Sequence, residues 1–336
     1  MTSEKVRLAR IKKLREKGYK SGKELLKEVI SKYQYPIIMC SFSGGRDSLS
    51  ATLLTLDTLV EMKKEARLFV AFVNTTNEYP ETLKYARYMI KEWFPKNYGH
   101  YDWIDLHCVE LKPDVFFKDI MDDMFKIALE MARKGEWSKG KMPCCHKLKF
   151  EPLRKFAREV KSNIQVEGTR AEESRRRFIQ MWRFGVVIRG DTPYGVRVMP
   201  IWDWSLEDVK RFLAEHPKKP PINPLYKTMK STGCLLCPIP FIFYPEEFAV
   251  EAPPHIFKAG LRAYLKALGQ SQLTFDKLPV ELDSIVVKLM KFLEKPRTRE
   301  EIEKAGFNFE TVEFLLKRKI INSKFDWRLG KYVYYA

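Results

Sequence analysis

The hexapeptide Ser43-Gly44-Gly45-Arg46-Asp47-Ser48 follows a short apolar run, Pro36-Ile37-Ile38-Met39-Cys40, and precedes a helical stretch from Leu49 to Lys64. A buried-type strand, a glycine turn and a helix in that order form the geometry that holds a phosphate chain. Glycine has no side chain to keep backbone N–H groups away from phosphate oxygens. The unpaired N–H groups of the helix's first turn, at the positive end of its dipole, then face the anion. Ser43 and Ser48 add hydroxyls and Arg46 adds a charge, so residues 43–48 are the first candidate binding site. The spacing is not G-x-x-x-x-G-K-[ST], which excludes the P-loop NTPase arrangement. A serine–glycine turn is also ordinary loop chemistry, and its place directly after an apolar strand is what favours a site.

With 336 residues, 45% hydrophobic and 13% aromatic, the chain has material for a core and two domains. No apolar run approaches the ~20 residues that cross a bilayer. The opening Met1-Thr2-Ser3-Glu4-Lys5 lacks a signal peptide's hydrophobic segment, so a cytoplasmic protein with no membrane partner is expected. The net charge of +18 points to polyanionic partners such as nucleic acid, or to a soluble basic surface. Residues 1–33 carry eleven Lys/Arg against four Glu, and Leu8, Ile11 and Leu14 recur at helical spacing. A solvated amphipathic helix capping the main domain fits this pattern better than a nucleic-acid arm.

Of six cysteines, Cys144-Cys145 are contiguous and Cys234-Leu235-Leu236-Cys237 form a C-x-x-C pair. A C-x-x-C turn lets two thiolates converge on one centre, and four thiolates saturate a zinc ion or a [4Fe–4S] cube. Two small buried pairs, or a structural zinc knot, remain open on this reading. Adjacent side chains diverge, which suits a cube better than one tetrahedral ion. Lys147, Lys149 and Arg154 would offset the charge of such a centre. Cys40 and Cys108 sit in strand-like runs and read as core thiols.

The loop at residues 43–48 resembles the S-G-G-x-D-S pyrophosphate loop of the ATP-pyrophosphatase superfamily. From about residue 36 to 240, the order of motifs resembles the phosphoadenosine phosphosulfate (PAPS) reductase family. Val73-Asn74-Thr75-Thr76-Asn77-Glu78-Tyr79-Pro80-Glu81-Thr82 is similar to its D-T-G-x-x-[FY]-P-E-T nucleotide segment, departing at Asn74 and Thr76. Cys144 to Leu153 is similar to C-C-x-x-x-K-x-x-P-L, and Gly168 to Arg177 to G-x-R-x-x-E-S-x-x-R. Pro200 to Val209, Asn223-Pro224-Leu225-Tyr226 and Gly233 to Cys237 follow in order. The resemblance implies an open, mostly parallel α/β sheet with flanking helices (adenine nucleotide alpha hydrolase-like). It implies nucleotide contacts from residues 43–48, Asn74, Thr75, Gly168 and Arg170, and a [4Fe–4S] cluster on Cys144, Cys145, Cys234 and Cys237. Independently, Arg170 and Arg177 lie just beyond the strand-like Asn163-Ile164-Gln165-Val166, where open α/β sheets bind ligands, and guanidinium forks suit phosphate oxygens.

Two features separate branches of that family. Its sulfonucleotide reductases carry a catalytic cysteine in a C-terminal E-C-G-[LI]-H tail, whereas no cysteine follows Cys237 here. The loop is also intact, as an ATP β,γ-pyrophosphate requires. The expectation is therefore ATP with Mg²⁺, cleaved between the α and β phosphates to adenylate a substrate, followed by sulfur transfer to tRNA or DNA. Asp47, Arg170 and Arg177 are the catalytic candidates, with Asp47 orienting the loop or holding Mg²⁺. A sulfur-donor protein and a homodimer are further expected partners. The alternatives are a sulfite-forming reductase with an atypical nucleophile, or a non-enzymatic nucleotide- and nucleic-acid-binding protein.

Organisation is read as a basic helical segment (1–33), a nucleotide-binding domain with the cysteine site (34–250), a helical linker region (251–280) and a winged-helix-like domain (281–336). The last rests on helices at Ile285–Leu293, from Thr298, and at Phe309–Lys317, then strands at Ile320-Ile321 and Tyr332-Val333-Tyr334. Residues 288–336 hold twelve Lys/Arg and seven Asp/Glu, so nucleic acid or protein docking are both open.

Overall fold

The two longest apolar strands of the main sheet are buried on both faces, so their sequences run apolar rather than alternating. In the computed structural model, β1 (Ile37–Phe42) has Ile38, Met39 and Cys40 at no exposure, and β2 (Ala66–Val73) is buried except at Arg67. The structure describes residues 4–134, 142–189, 195–227, 229, 232–243, 254–267, 289, 292–307, 309, 312–313, 316, 321–326, 329 and 331–335. The chain forms two compact units, Met1–Asp114 with Lys147–Thr232, and Val115–His146 with Gly233–Ala336.

The first unit holds a six-stranded sheet. Its further strands are β3 (Ile104–Leu111), β4 (Ile164–Val166), β5 (Val187–Arg189) and β6 (Val196–Val198), in the order β3-β2-β1-β4-β6-β5. All neighbours are parallel except β5, which runs antiparallel to β6. This is the open, mostly parallel sheet expected from the sequence. Strand order reverses between β1 and β4, where Cys40 registers with Val166. In open α/β sheets, ligands bind in the crevice beside the carboxyl ends of the strands at such a reversal.

The helix Arg46–Met62 covers β1, burying Leu49, Leu53, Leu56 and Leu59. Its buried threonines are satisfied by back-bonding: Thr52, Thr55 and Thr58 hydroxyls donate to the carbonyls of Ser48, Ala51 and Leu54 at 2.8, 2.8 and 2.6 Å. Lys63, at φ 48°, ends it. The N-terminal helix Glu4–Arg15 buries Ile11 and Leu14 as expected, but Leu8 is 53% exposed, so the apolar face is narrower than its spacing implied. The same helix buries Arg10 instead.

In the second unit the amphipathic helix Phe117–Arg133 packs against the helices Pro254–Ala267 and Pro238–Phe243. Phe125 and Tyr264 are among its fully buried side chains. A small antiparallel sheet of β7 (Arg297–Thr298), β8 (Asn322–Asp326) and β9 (Lys331–Tyr335) has the order β7-β9-β8. The expected Thr298 capping box is present: its hydroxyl accepts from Glu301 N, and the Glu301 carboxylate accepts from Thr298 N. Of the expected strand residues Ile320 and Ile321, Ile321 is buried immediately before β8 and Ile320 lies outside the described residues. The expected helices at 285–293 and 309–317 fall largely outside the described residues. No described helix is long and apolar enough to cross a membrane.

Candidate functional site

The loop after β1 is shaped for an anion by its own backbone. Gly44 adopts φ +75°, and a Cβ there would lie 3.1 Å from the Thr82 methyl. Gly45 caps the following helix, and three hydroxyls crowd the place of its missing Cβ: Thr232, Tyr226 and Ser43, at 3.1, 3.3 and 3.4 Å. Among the described residues, the N–H groups of Gly45 and Asp47 have no acceptor, so they remain as donors at the helix's positive end. The Ser48 hydroxyl donates to Gly45 O (3.0 Å) and lies 3.0 Å from both Ser43 N and Ser43 Oγ. Buried Ser48 therefore staples the loop, while Ser43 is exposed.

Two residues that sequence reading quoted without assigning a role hold this loop. Asn223, 2% exposed, donates to Gly44 O (3.1 Å) and Thr82 Oγ1 (3.0 Å). The Tyr226 phenol accepts from Arg46 N (3.1 Å), and the Arg46 guanidinium stacks 3.7 Å above its ring centroid. The signal was the Asn-Pro-Leu-Tyr segment, whose asparagine-proline start marks a turn but says nothing of which loop it meets.

The turn after β4 closes the crevice. Gly168 presses on the helix's first turn so tightly that a Cβ would sit 2.3 Å from Asp47 O and 2.6 Å from Ser48 N. Arg170, 5% exposed, brings its Nε within 3.0 Å of Asp47 Oδ1, though the N–H is not aligned on that oxygen. Its other arm meets Glu172 at 2.5 Å, and Glu172 also accepts from Leu206 N. Ser174 caps the helix Arg175–Phe184 by accepting from Arg177 N at 3.2 Å. Burial pushes the Arg177 pKa down, with Asp47 and Glu167 opposing and Arg170 adding to the shift. The Arg177 side chain also pairs with Glu173. Asp47, Arg170 and Arg177 thus meet around one glycine-lined loop.

After β2, the Asn74 side chain donates to Glu110 (2.8 Å) and accepts from Thr76 N (3.0 Å), which holds Thr76 at φ +60°. Arg87 grips Glu110 with two 2.8 Å bonds and lowers its pKa to about 2. The Thr75 hydroxyl donates to Glu78 at 2.7 Å. Burial raises the Glu78 pKa against the pull of Lys149 and Thr75. These side chains are committed to one another and fix the shape of the loop.

The four candidate ligand cysteines all lie in the second unit. Cys144 and Cys145 form a single helical turn opened by Pro143, and Cys234 and Cys237 flank a turn before the helix Pro238–Phe243. The helix Phe117–Arg133 packs against both segments and so brings the two pairs together. The Cys144 pKa is pushed up, first by the hydrogen bond with Cys145, then by burial, then by the charges of Cys145, Cys237 and Cys234. Among the described residues no three His, Cys, Asp or Glu side chains close on a single metal ion. The donor set is sulfur only, which is the ligand chemistry of zinc and of iron–sulfur centres alike. Cys40 and Cys108 are core thiols, each pushed up to about 12 by burial.

Residues 116–240 match the model of the phosphoadenosine phosphosulfate reductase domain; both cysteine pairs and Arg170 to Arg177 fall inside the match, and the 43–48 loop precedes it. The uncharacterized protein MJ0066 of Methanocaldococcus jannaschii is 29% identical over 216 residues, 63% of this chain and 38% of that protein. The chain therefore spans well under half the length of this curated relative. Among solved structures, the phosphoadenylyl-sulfate reductase from Candida auris in its phosphate complex is 20% identical, covers 70% of this chain and 96% of its own, and has a TM-score of 0.41. The U34-tRNA thiolase NcsA from Methanococcus maripaludis, with its [4Fe–4S] cluster, is 16% identical over 82% of each chain, with a TM-score of 0.39.

Proposed function

We propose that this chain, whose residues 116–240 match the phosphoadenosine phosphosulfate reductase domain, cleaves ATP between the α and β phosphates and adenylates an acceptor. The observation that carries the reading is the glycine loop at the β1/β4 crossover, where the N–H groups of Gly45 and Asp47 have no acceptor among the described residues and Asp47 meets Arg170. An acceptor oxygen attacks the α-phosphorus, the bond to the α,β-bridging oxygen breaks, and that oxygen keeps the electron pair on departing pyrophosphate. The loop donors, Ser43 and Arg46 take up the charge that develops on the leaving group. Removing one such donor from a preorganised site typically costs about 10²–10³ in rate. Asp47, with one oxygen 3.0 Å from Arg170 Nε, would hold a Mg²⁺ ion, which would supply neutralisation of the phosphate charge.

A sulfur nucleophile then displaces AMP from the adenylated acceptor, which we take to be a nucleic acid, tRNA or DNA, in the cytoplasm. The Cys40 thiol is fully buried in β1 and pushed up to about 12 by that burial, which does not suit a sulfur carrier; a sulfur-donor protein is part of this proposal. Cys144, Cys145, Cys234 and Cys237 would hold a [4Fe–4S] cluster. With every iron ligated by the chain, such a cluster supplies a fixed charge and a clamp between the two cysteine segments. We read the small three-stranded sheet and the Arg299–Lys304 helix as part of a winged-helix-like domain that docks nucleic acid or protein.

The reductase domain match favours a second reading, reduction of a sulfonucleotide to sulfite. Anaerobically purified protein offered ATP and adenylyl sulfate separates the two. Pyrophosphate release from ATP, abolished by Asp47→Ala, supports adenylation; sulfite release with a thiol reductant supports the reductase.

A further inference from the structure

The helix Arg175–Phe184, RRRFIQMWRF, carries four arginines and no acidic residue. Arg177 is turned toward Asp47 and Glu167 at the nucleotide loop. Arg175, Arg176 and Arg183 are exposed, and none of them is paired with a carboxylate among the described residues. At about 100° per residue, Arg175, Arg176, Ile179, Trp182 and Arg183 share one face of the helix. Two rings sit at its far end. Trp182 is 42% exposed, and Phe184, at 64%, is the most exposed large hydrophobic side chain among the described residues. Lys17 pins Trp182 in place, its ammonium 4.0 Å from the ring centroid and donating to Trp182 O at 2.6 Å. The N-terminal helix Glu4–Arg15, whose Lys12 and Lys13 are exposed, packs against this helix.

Unpaired guanidinium groups beside exposed aromatic rings match the chemistry of an unstacked nucleic-acid strand, whose phosphates take the arginines while its bases stack on the rings. A duplex keeps its bases stacked and would use the arginines alone. RNA folds present unpaired loops as stable features, with bases splayed out for such contacts. We propose that Arg175, Arg176, Trp182, Arg183 and Phe184 form a docking surface for an unpaired stretch of RNA. This rests on the reading of a nucleic-acid acceptor and names its chemistry. At about 1.5 Å of rise per residue, Phe184 lies roughly 10 Å along the helix from Arg177. A base stacked on it would leave a neighbouring nucleotide within reach of the phosphate loop.

The test is fluorescence anisotropy with the full-length protein and a labelled 16-nucleotide single-stranded RNA, titrated at several salt concentrations. Single-stranded DNA of the same sequence and the corresponding duplex DNA serve as competitors. The RNA is expected to bind more tightly than either. Replacing Arg175, Arg176 and Arg183 together by Ala should weaken binding at least tenfold and flatten the log–log salt slope by about 2, near 0.7 per lost phosphate contact. Phe184→Ala should weaken binding about tenfold with the slope unchanged, as loss of one stacked base does. Equal affinity for either DNA, or unchanged RNA affinity in both variants, would overturn the docking surface. Pyrophosphate release from ATP, with and without the RNA, is followed in parallel. Its absence in a wild-type protein that still binds RNA in this way would count against adenylation and leave the surface standing.

Discussion

Asp47 and Arg170 arrive from loops at the ends of neighbouring strands and meet at 3.0 Å, with the Arg170 side chain 6% and the Asp47 side chain 23% exposed. A guanidinium this buried depends on its partners, Asp47 and Glu172. Arg170→Ala leaves both carboxylates uncompensated. It is expected to cost about 1–3 kcal/mol, between the values for exposed and buried pairs, and to abolish ATP cleavage; denaturant unfolding and pyrophosphate release check the two parts separately. Arg170→Lys keeps the charge but cannot serve both carboxylates with one planar fork, so it should recover stability more than activity. Glu78 gives a pH test. Its pKa is raised on folding, so the folded state binds more protons than the unfolded chain between the unfolded value and the higher folded one. Stability contributed by this group is therefore fullest below its ordinary value of 4.5 and falls as pH rises through the folded pKa. Glu78→Gln should flatten that decline, seen as a smaller difference between urea midpoints at pH 5 and pH 8. An unchanged difference would show that another group sets the slope.

The strand β1, the loop and the helix after it were legible in sequence because each has a local signature: an unbroken apolar run, a glycine pair, and a leucine-rich stretch. The capping boxes were equally local. Ser205 and Asp208 form a second one at the start of the helix Leu206–Glu215, and Ser205→Ala should cost about 1 kcal/mol in thermal or chemical unfolding. What could not be read were contacts between distant turns. Asn223 and Tyr226 reach back across the sheet to Gly44 and Arg46, and their segment carries no pattern that states the target. Leu8 shows the opposite failure, since helical spacing marks a face but not how wide a stripe its neighbour covers. Gly168 tests the closest of these long-range contacts. A methyl there would overlap the Asp47 carbonyl, so Gly168→Ala should displace the phosphate loop and abolish nucleotide binding while circular dichroism stays near wild type. Retained ATP affinity in this variant would show that the turn after β4 does not shape the site.

At the scale of the chain, the order of motifs gave the sheet and the candidate residues, while the grouping into units depends on packing that local pattern does not reveal. The helix Phe117–Arg133 lies in sequence between β3 and β4 yet packs against Pro254–Ala267 and touches both cysteine segments. Sequence could mark two pairs of thiols; only the pairing of apolar helix faces far apart in the chain shows what draws them together. Cys144→Ser or Cys234→Ser should each strip iron from anaerobically prepared protein and remove its visible absorbance. Zinc in place of iron in the wild type would contradict the cluster assignment. The account as a whole stands on what the Ser43–Ser48 loop grips. The most direct measurement is to incubate the full-length protein anaerobically with Mg²⁺ and γ-labelled ATP, alone and with RNA, and to identify the labelled product. Labelled pyrophosphate, with the matching AMP group carried on the acceptor or released from it, and lost in Asp47→Ala, is expected; labelled inorganic phosphate with ADP, or cleavage that survives Asp47→Ala, would contradict it.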